Sequence, residues 1–556
     1  AVDFAGNEAN AVQTLTVEDT TAPVFDPLIE TTYAIDAQGR LTNVIGSINI
    51  VANDLVDGEI NAQLVSTDKL KSGRHQVELS VSDLSNNISS ITVDLNIVPQ
   101  VMIESDLNVS AGGQYQAQVN LNGNAVEYPV NVSYQVYRNN IIIDDGITVI
   151  DSGTQGQITF EIPSNVTSSD NLFIEITEAD NARLSTMQKT TLHIIEDNVA
   201  PLLQLSMVQN NQPVSIIDPD NGLTTLKAKI SDVNHTDEHD ITWKVANDVL
   251  IDAANDESNL TFEFDPTGLT QGHYKVNVLI KENNTTELLE VNRSMLVVIE
   301  SLADLSAGLD SDNDGVADNI EGYQDSDGDG VADYLDSESS RHILASADNS
   351  QPMHTEFGYH LSLGDNTKAA QGAKSKSASL TITELSSTLD EDAASTEDNH
   401  FATVSPLYNF NISDFDEQGS SVAVIIPLPD NVYLPKNAVY RKYNSNQGWF
   451  TFVENSKNSI SSALLNEHGN CPDINASTYS SGLNYQDNCI RLIIEDGGAN
   501  DSDFMINGAI TDPGIIAVEQ QNQAPSLNIN SHNASYTEGS SIVLSVEASD
   551  PENDDL

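Results

Sequence analysis

Two groups of closely spaced aspartates stand in the middle of the chain at the spacing of calcium-binding loops. Residues 309–336 read LDSDNDGVADNIEGYQDSDGDGVADYLD and hold two copies of D-x-D-x-D-G, fifteen residues apart, with no Lys, Arg or His. Calcium takes about six to eight hard oxygen ligands, which a loop of about twelve residues supplies from positions 1, 3, 5, 7, 9 and 12. Counted in this way, both copies carry a complete set of ligands.

The chemistry that these residues offer is coordination of Ca²⁺ by carboxylate and carbonyl oxygens. The predicted ligands are Asp310, Asp312, Asp314, the Val316 carbonyl, Asp318 and Glu321 in the first loop, and Asp325, Asp327, Asp329, the Val331 carbonyl, Asp333 and Asp336 in the second. Gly315 and Gly330 fall at position 6, where the loop turns sharply and glycine is favoured. The alternative is an acidic run that only remains solvated. Without metal we expect the carboxylates to repel one another and the segment to be loose.

The flanks of the two loops lack the long amphipathic helices of an EF-hand. Neither IESLADLSAG before the loops nor YLDSESS after them has a helical hydrophobic period. The spacing resembles instead that of the thrombospondin type 3 calcium repeats of bacterial exported proteins. That resemblance implies a structural connector that wraps calcium, not a sensor. We therefore expect calcium to turn a self-repelling hinge into a defined connector, and the protein to be extended and ordered only where calcium is plentiful.

The charge of the chain excludes several kinds of partner. It has 556 residues, of which 84 are acidic and 22 basic, and a formal net charge of −62. A phosphate backbone needs Lys and Arg to displace its counterions, so nucleic acid is excluded, and anionic membranes are disfavoured. No apolar run approaches the roughly 18–20 residues of a membrane helix. The charge suits a chain that works among cations, or it only keeps a surface protein soluble.

Short strands and turn signals dominate the first 300 residues, which is typical of β-sandwiches. GRHQVELSVSDLSNN (residues 73–87) matches GHYKVNVLIKENNTT (residues 272–286), and each reads as a strand, an acidic residue, an Asn-rich turn and a return strand. EDTTAP (18–23), EDNVAP (196–201) and NQAP (522–525) mark steps between domains.

These markers predict an all-β protein of tandem sandwiches, a calcium-loop connector and a larger β-domain. The predicted parts are the end of a truncated sandwich at 1–18, sandwiches at 19–98, 99–197 and 198–300, the tandem loops at 301–340, the larger β-domain at 341–520, and the start of a further truncated sandwich at 521–556. The chain begins without Met and without a signal peptide, so we expect either an internal part of a longer polypeptide or a processed product.

The VDFAGN hairpin and the DTTAP boundary resemble the tandem Ig-like domains of large bacterial surface proteins and adhesins, over about half of the chain. Acids near the junctions of such domains hold calcium in cadherin-like arrays. The corresponding acids here are Asp19, Asp83, Asp197, Asp232, Asp550 and Glu552. Chance placement is the alternative, because acids are frequent throughout the chain.

The region 341–520 has its own order of motifs. VIIPLP (424–429), NAVYRKYNSNQGWFTFVEN (437–455), two cysteines and IRLIIEDGGANDSDFMINGAITDPG (490–514) follow one another. This order resembles the choice-of-anchor U domain of bacterial exported proteins, although a second glycine is expected after Gly514. The resemblance implies export and surface attachment, without an activity.

Two further features of this region are candidates for structural roles. Cys471 and Cys489 have neither a C-x-x-C nor a zinc spacing, so we expect a disulfide worth roughly 3 kcal/mol, with two free thiols as the alternative. A possible third calcium site is formed by Asp496, Asn500, Asp501 and Asp503. The alternative there is an Asx-rich loop held by its own side-chain-to-backbone hydrogen bonds.

No catalytic signature is present, so we do not predict an enzyme. G-x-S-x-G, H-E-x-x-H and a phosphate-binding glycine loop are all missing from the sequence. The predicted function is a calcium-stabilised structural or adhesion segment of a bacterial surface protein, extracellular or secreted, whose partners are flanking domains, other copies or an unknown surface ligand. The alternatives are a fibre subunit that pairs its incomplete ends by strand addition, and an ancillary region of a secreted polysaccharide-acting enzyme.

Overall fold

The computed structural model describes most of the chain. The described residues are 8, 12–27, 31–36, 39–42, 44–48, 50–65, 69–104, 106–245, 250–254, 258–283, 288–345, 351–390, 392–466, 469–520, 525–530, 538 and 545–549. Within them the helices are short: α1 (Val44–Ile48), α2 (Asp318–Glu321), α3 (Asp365–Gln371) and α4 (Ile382–Thr388). All other regular structure apart from two 3₁₀ turns is β-strand, so the predicted all-β class is confirmed.

The first sandwich follows residue 19. Its strands are β1 (Val24–Phe25), β2 (Thr32–Ala34), β3 (Leu41–Thr42), β4 (Val51–Asp54), β5 (Gly58–Asn61), β6 (Gln63–Leu64), β7 (Lys69–Leu70), β8 (Gly73–Ser82) and β9 (Ile88–Val98). One sheet has the order β1-β4-β5 and the other β2-β9-β8-β6. Alternate residues of β8 and β9, such as Val77 and Leu95, are buried in the core, as a half-buried strand requires.

The second sandwich is the most regular of the three. Its strands are β10 (Gln100–Ile103), β11 (Leu107–Val109), β12 (Gln114–Leu121), β13 (Val130–Arg138), β14 (Ile141–Ile150), β15 (Gln155–Glu161), β16 (Leu172–Ala179), β17 (Arg183–Leu184) and β18 (Lys189–Ile194). They form sheets of order β15-β12-β10-β17 and β11-β18-β16-β13-β14. Apolar residues of both sheets meet in one core.

The third sandwich repeats the design of the first. Its strands are β19 (Leu202–Gln209), β20 (Gln212–Pro213), β21 (Ile216–Ile217), β22 (Thr224–Ser231), β23 (His239–Val245), β24 (Thr261–Phe264), β25 (Gly272–Glu282) and β26 (Glu290–Ile299). The sheet orders are β20-β19-β22-β24 and β21-β26-β25-β23. The antiparallel pairs β8–β9 and β25–β26 confirm the two strands that each copy of the sequence repeat predicts.

The large β-domain is also two sheets around one core. Its strands are β27 (Ile343–Leu344), β28 (Met353–Thr355), β29 (His360–Leu363), β30 (Ser379–Leu380), β31 (Phe401–Thr403), β32 (Leu407–Ser413), β33 (Ser421–Pro427), β34 (Ala438–Asn444), β35 (Gly448–Thr451), β36 (Ser459–Ala463), β37 (Ser480–Ser481), β38 (Cys489–Glu495) and β39 (Ile510–Glu519). The six-stranded sheet has the order β27-β28-β33-β38-β36-β37. The seven-stranded sheet runs β29-β32-β39-β34-β35, with β30 paired to β32 and β31 to β39.

Beyond this domain the structure describes one antiparallel hairpin, β40 (Ser526–Asn530) and β41 (Ser545–Ser549). Most of the predicted terminal parts 1–18 and 521–556 lies outside the described residues.

The disulfide of the large domain is present. Cys471 and Cys489 are bonded, and both are buried in a small apolar cluster beside β38. This confirms the pairing expected from the two cysteines.

Candidate metal centres

The two acidic loops of residues 310–336 fold in the same way. In the first, Asp310 Oδ2 accepts a hydrogen bond from the N–H of Gly315 (3.2 Å). In the second, Asp325 Oδ2 accepts one from Gly330 (3.0 Å). These two glycines have φ of +100° and +95°, a conformation that costs glycine least. The turn residue that the spacing predicted at position 6 is therefore present in both loops.

The hydrogen bond between positions 3 and 5 is also the same in the two loops. The backbone N–H of Asp314 donates to Asp312 Oδ1, and that of Asp329 donates to Asp327 Oδ1, each at 3.2 Å. In both loops the successive carboxylates are turned towards one centre by these local bonds. Asp310, Asp312 and Asp314 bring one carboxylate oxygen each within 4.8 Å of the others, and Asp325, Asp327 and Asp329 do the same.

Several of these oxygens are buried and make no hydrogen bond. They are Asp312 Oδ2 and Glu321 Oε2 in the first loop, and Asp327 Oδ2 and Asp329 Oδ2 in the second. A buried carboxylate oxygen without a partner costs free energy of about 1–3 kcal/mol or more, so proteins rarely leave one. A cation between the carboxylates could be their partner, and a proton shared between two oxygens is the alternative.

The pKa values of several loop carboxyl groups are raised, because negative charge is crowded and buried there. Burial, together with the charge of Asp327, raises the pKa of Asp325 to about 8. Burial likewise raises the pKa of Asp327 to about 7, and that of Asp329 well above its usual range. In the first loop, burial and the neighbouring carboxylates raise the pKa of Glu321 to about 8. Without a cation these four carboxyl groups therefore bind protons more tightly than carboxyl groups in water do.

The residues at position 12 interact electrostatically with the clusters. Glu321 adjoins Asp310, Asp312 and Asp314, whose charges contribute to its raised pKa. Asp336 interacts with Asp327 and Asp329 in the second loop. Neither residue belongs to the groups whose oxygens lie within 4.8 Å of one another, so their role as ligands stays a prediction.

The aspartates at position 9 of the two loops accept hydrogen bonds from a serine of the same loop. Both carboxylate oxygens of Asp318 accept hydrogen bonds from Ser311, from its N–H (2.7 Å) and its hydroxyl (2.8 Å). Asp333 binds Ser326 in the same way, at 2.8 and 2.6 Å. In this arrangement Asp318 and Asp333 tie the end of each loop to its start. The sequence signal for this role is the Ser at position 2 of both loops.

The residues at position 7 differ between the loops. Val331 is fully buried and its side chain belongs to the core of the large β-domain, whereas Val316 is exposed. Their N–H groups donate to Asp329 Oδ1 (2.8 Å) and Asp314 Oδ1 (2.7 Å). The second loop is thus built into the domain, and the first lies at the surface.

The second loop is packed between two domains. The N–H of Asp325 donates to the Pro213 carbonyl in the third sandwich (3.0 Å), and Arg341 Nε donates to the Asp327 carbonyl (3.2 Å). These hydrogen bonds, and the burial of Val331 in the core of the large β-domain, hold the second loop in place against both domains. A cavity of about 580 Å³ opens beside residues 325–330.

The proposed third calcium site has a different organisation. Asp496 accepts hydrogen bonds from the N–H groups of Gly419, Asn507 and Gly508. Asp501 accepts them from Gly497 and Thr511.

The other two candidates of this region are held by local bonds as well. Asn500 exchanges two hydrogen bonds with the backbone of Val453, and Asp503 accepts from Met505 and from Asn507. Among the described residues, Asp496, Asp501 and Asp503 are not a group whose carboxylate oxygens all lie within 4.8 Å of one another. The hydrogen bonds are those of an Asx-rich loop, and a third calcium site formed by these residues and Asn500 stays a prediction.

A further acidic cluster lies where the first sandwich begins. Asp19, Asp54, Asp57 and Asp83 place one carboxylate oxygen each within 4.8 Å of the others. Asp54 is 7% exposed, and its Oδ2 and that of Asp19 are buried without a hydrogen-bond partner. Asn87 Nδ2 donates hydrogen bonds to the Asp19 carbonyl and to Asp83 Oδ2. These bonds hold the start of the first sandwich against the β8–β9 hairpin.

The third sandwich has a related cluster of Asp232, Asp237 and Glu282. Glu282 occupies the position that Asp83 holds in the repeat. Here His239 Nε2 lies 2.7 Å from Asp232 Oδ2, and this contact raises the pKa of the histidine. When His239 is protonated, its charge offsets part of the negative charge of this cluster.

Only some of the acids predicted at the domain junctions lie in these clusters. Asp19, Asp83 and Asp232 belong to clusters, whereas Asp197 does not, and Asp550 and Glu552 lie outside the described residues. The residues that the sequence reasoning missed are Asp54, Asp57, Asp237 and Glu282. The available signals were the acid in each repeat hairpin and the N-D-L-V-D-G turn after β4.

Comparison with known proteins adds no relative to these observations. No family model matches the chain, and no curated protein matches it. Within the part of the chain that the structure describes, none of the helices combines the length and the apolar character needed to cross a membrane.

Proposed function

We propose that the chain is a calcium-stabilised structural segment of an extracellular bacterial surface protein. The observation that carries this proposal is the second acidic loop, where three buried aspartates converge and two of their oxygens have no hydrogen-bond partner. Oxygen-only ligand sets of this kind suit calcium among the divalent cations. A bound Ca²⁺ supplies two positive charges at a point where the folded chain otherwise gathers negative charge.

The residues of the chain would use that charge to fix domain packing. Asp325, Asp327 and Asp329 would hold the ion, with Asp336 on the outer side and the Val331 carbonyl at position 7. The same stretch of backbone contacts the third sandwich through Pro213. Calcium binding and the docking of the sandwiches on the large β-domain are therefore coupled.

An extracellular place for this segment is supported by three features. The disulfide is stable in oxidising compartments and rare in the cytosol. A net charge of −62 suits calcium-rich and salt-rich surroundings. The tandem sandwiches resemble the Ig-like arrays of bacterial surface proteins, for which adhesion is the implied task. Flanking domains, other copies of the chain and a surface ligand are the partners that this role implies.

The first experiment measures calcium directly. We expect calorimetric titration of the chelator-treated protein to show binding of at least one Ca²⁺ ion at each loop. We expect chelator to expose residues 309–336 to protease and to lower the melting temperature. Binding that is absent, with proteolysis and melting unchanged between calcium and chelator, would contradict the proposal.

Two comparisons make this experiment specific. Magnesium demands a smaller and more regular shell, so it should restore protection less well than calcium. A variant with Asp325→Asn, Asp327→Asn and Asp329→Asn keeps the size of the side chains but removes their charge. This variant should lose the calcium binding of the second loop. Chelator should then no longer change the melting temperature of its large β-domain.

A further inference from the structure

The core of the large β-domain contains a lysine and an aspartate in direct contact. Lys442 lies on β34 and Asp512 on β39, the neighbouring strand of the seven-stranded sheet. Lys442 pairs in register with Gly514, so Asp512 is two residues along β39 on the same face. Lys442 Nζ lies 2.7 Å from Asp512 Oδ1, and both side chains are 0% exposed.

The contact is close but poorly aligned. Neither Lys442 Nζ nor either carboxylate oxygen of Asp512 makes a hydrogen bond of good geometry, although the Lys442 ammonium and the Tyr440 hydroxyl both lie near enough to the carboxylate to act on its pKa. The neighbouring Arg441, by comparison, is a charged side chain of this sheet that makes several hydrogen bonds. It binds both carboxylate oxygens of Asp398, at 2.8 and 3.2 Å, and Thr451 Oγ1 at 2.7 Å.

Burial acts in favour of the neutral form of each group. It lowers the pKa of Lys442 and raises the pKa of Asp512, while the opposite charge of the partner acts against both shifts. Taking the pair out of water therefore narrows the gap between the two pKa values, and proton transfer from the ammonium to the carboxylate becomes easier than it is in water. A neutral amine is a nucleophile, and a protonated carboxyl group is an electrophile.

Aromatic side chains close the site against water. Phe410 pairs in register with Asp512, and Tyr440 lies two residues before Lys442 on the same face of β34. Both rings are buried in the main core of the domain. A Cβ atom on Gly514 would meet the ring of Tyr440 at 2.3 Å, so only glycine lets this ring cover the pair. Water that would hydrolyse an amide is therefore excluded.

We infer that Lys442 and Asp512 form an intramolecular amide bond. In this step the Nζ lone pair of the neutral amine attacks Cγ of the protonated carboxyl. The C–N bond forms, one C–O bond breaks, and the leaving oxygen departs as water with the carboxyl proton and one amine proton. No group is oxidised or reduced, and no co-reactant is needed. Contact, orientation and dryness replace the activation that amide formation requires in solution.

The measurement is the intact mass of the purified full chain after denaturation, reduction and alkylation. We expect a mass one water below the mass calculated for the sequence with both cysteines alkylated. Trypsin digestion should then give residues 442–457 joined to residues 492–556, because cleavage after a modified Lys442 is blocked and no Lys or Arg follows residue 491. A wild-type mass equal to that of the sequence, or a water loss mapped to other residues, would overturn the inference.

Two controls use the same chain. Lys457 Nζ lies 2.7 Å from Glu495 Oε1, but this lysine is 54% exposed, so its peptide should be found unlinked. Asp512→Ala should show the unshifted mass. In single-molecule pulling with the disulfide reduced, that variant should extend further by the 512 − 442 = 70 residues between the two positions. At about 3.3–3.6 Å per residue the added length is roughly 230–250 Å. Equal extension of variant and wild type would count against the bond.

Discussion

The backbone N–H of Leu363 donates a hydrogen bond to the carbonyl oxygen of Asp329 at 2.7 Å. Leu363 ends β29 in the seven-stranded sheet, and Asp329 is the most buried carboxylate of the second acidic loop. The loop is thus part of the hydrogen-bonded framework of the large β-domain. A cation bound there stabilises that domain as well as the loop.

The first prediction concerns Asp329→Asn. The amide keeps an oxygen for the Val331 N–H but loses the charge that binds calcium. With calcium at 100 times its Kd, losing the site removes about 2.7 kcal/mol of stability. With chelator present the same change should stabilise the protein, because it removes one of several crowded negative charges. Calorimetric melting in the two conditions tests this reversal of sign.

The control for that prediction is Asp314→Asn. Asp314 has the same position in the first loop but is exposed. Because the first loop lies at the surface, its loss should affect the melting of the large β-domain much less. Equal effects of the two substitutions would contradict the structural difference between the loops.

The second prediction is a dependence of stability on pH in chelator. The pKa of Asp325 is raised to about 8 and that of Asp327 to about 7, against about 4 in an unfolded chain. Such groups bind protons more tightly in the folded state. Their contribution is therefore complete below about pH 4 and is lost as the pH rises through about 7 to 8.

The melting temperature in chelator should accordingly fall between about pH 5 and about pH 8. With calcium the trend should flatten or reverse, because the ion binds the deprotonated carboxylates. Calorimetric scans across this range with and without calcium give the comparison. A melting temperature that rises with pH in chelator would contradict the prediction, because it would show that other groups control the pH dependence of stability.

Local sequence spacing predicted the parts of the molecule that local geometry determines. The D-x-D-x-D-G pattern places Asp325, Asp327 and Asp329 on one turn, and the repeat predicted the hairpins β8–β9 and β25–β26. Each depends on a few successive residues, whose φ and ψ angles and side-chain bonds act over short distances. The all-β class follows from the same period-two alternation along each strand.

Contacts between distant segments were not predictable in this way. Asp54 joins Asp19 and Asp83 only because β4 and the β8–β9 hairpin end at the same edge of the first sandwich. Lys442 meets Asp512 because β34 and β39 pair in one particular register. Sheet order and register depend on the packing of whole domains, and a single sequence does not show them.

The third prediction is that the junction cluster of the first sandwich binds calcium in addition to the central loops. Asp54→Asn keeps an acceptor for the N–H groups of Val56 and Asp57 but reduces the charge of the cluster. Native mass spectrometry should show one Ca²⁺ fewer than in the wild type. Asp94→Asn, at an acid that bonds only a neighbouring glutamine side chain among the described contacts, serves as the control and should leave the count unchanged.

The fourth prediction tests how the first sandwich is held against the rest of the chain. Glu338 follows the second loop, is 5% exposed, and contacts Arg40 (2.5 Å) and Lys71 (3.3 Å) of the first sandwich. Glu338→Ala leaves two cations facing each other without their shared anion. Because both cations keep some contact with water, we expect a cost on the order of 2–3 kcal/mol, below that of a fully buried pair.

That cost should appear as release of the first sandwich and not as unfolding of the large β-domain. Small-angle X-ray scattering should show a larger radius of gyration for Glu338→Ala, and protease should cut more readily near residue 98. The melting of the large domain should stay close to that of the wild type, because its disulfide and its central sheet are untouched. Glu127→Ala is the matched control, since Glu127 also pairs with an arginine, Arg74, at 2.5 Å, but both side chains are exposed. An exposed pair contributes about 0–1 kcal/mol, so this control should leave the scattering unchanged.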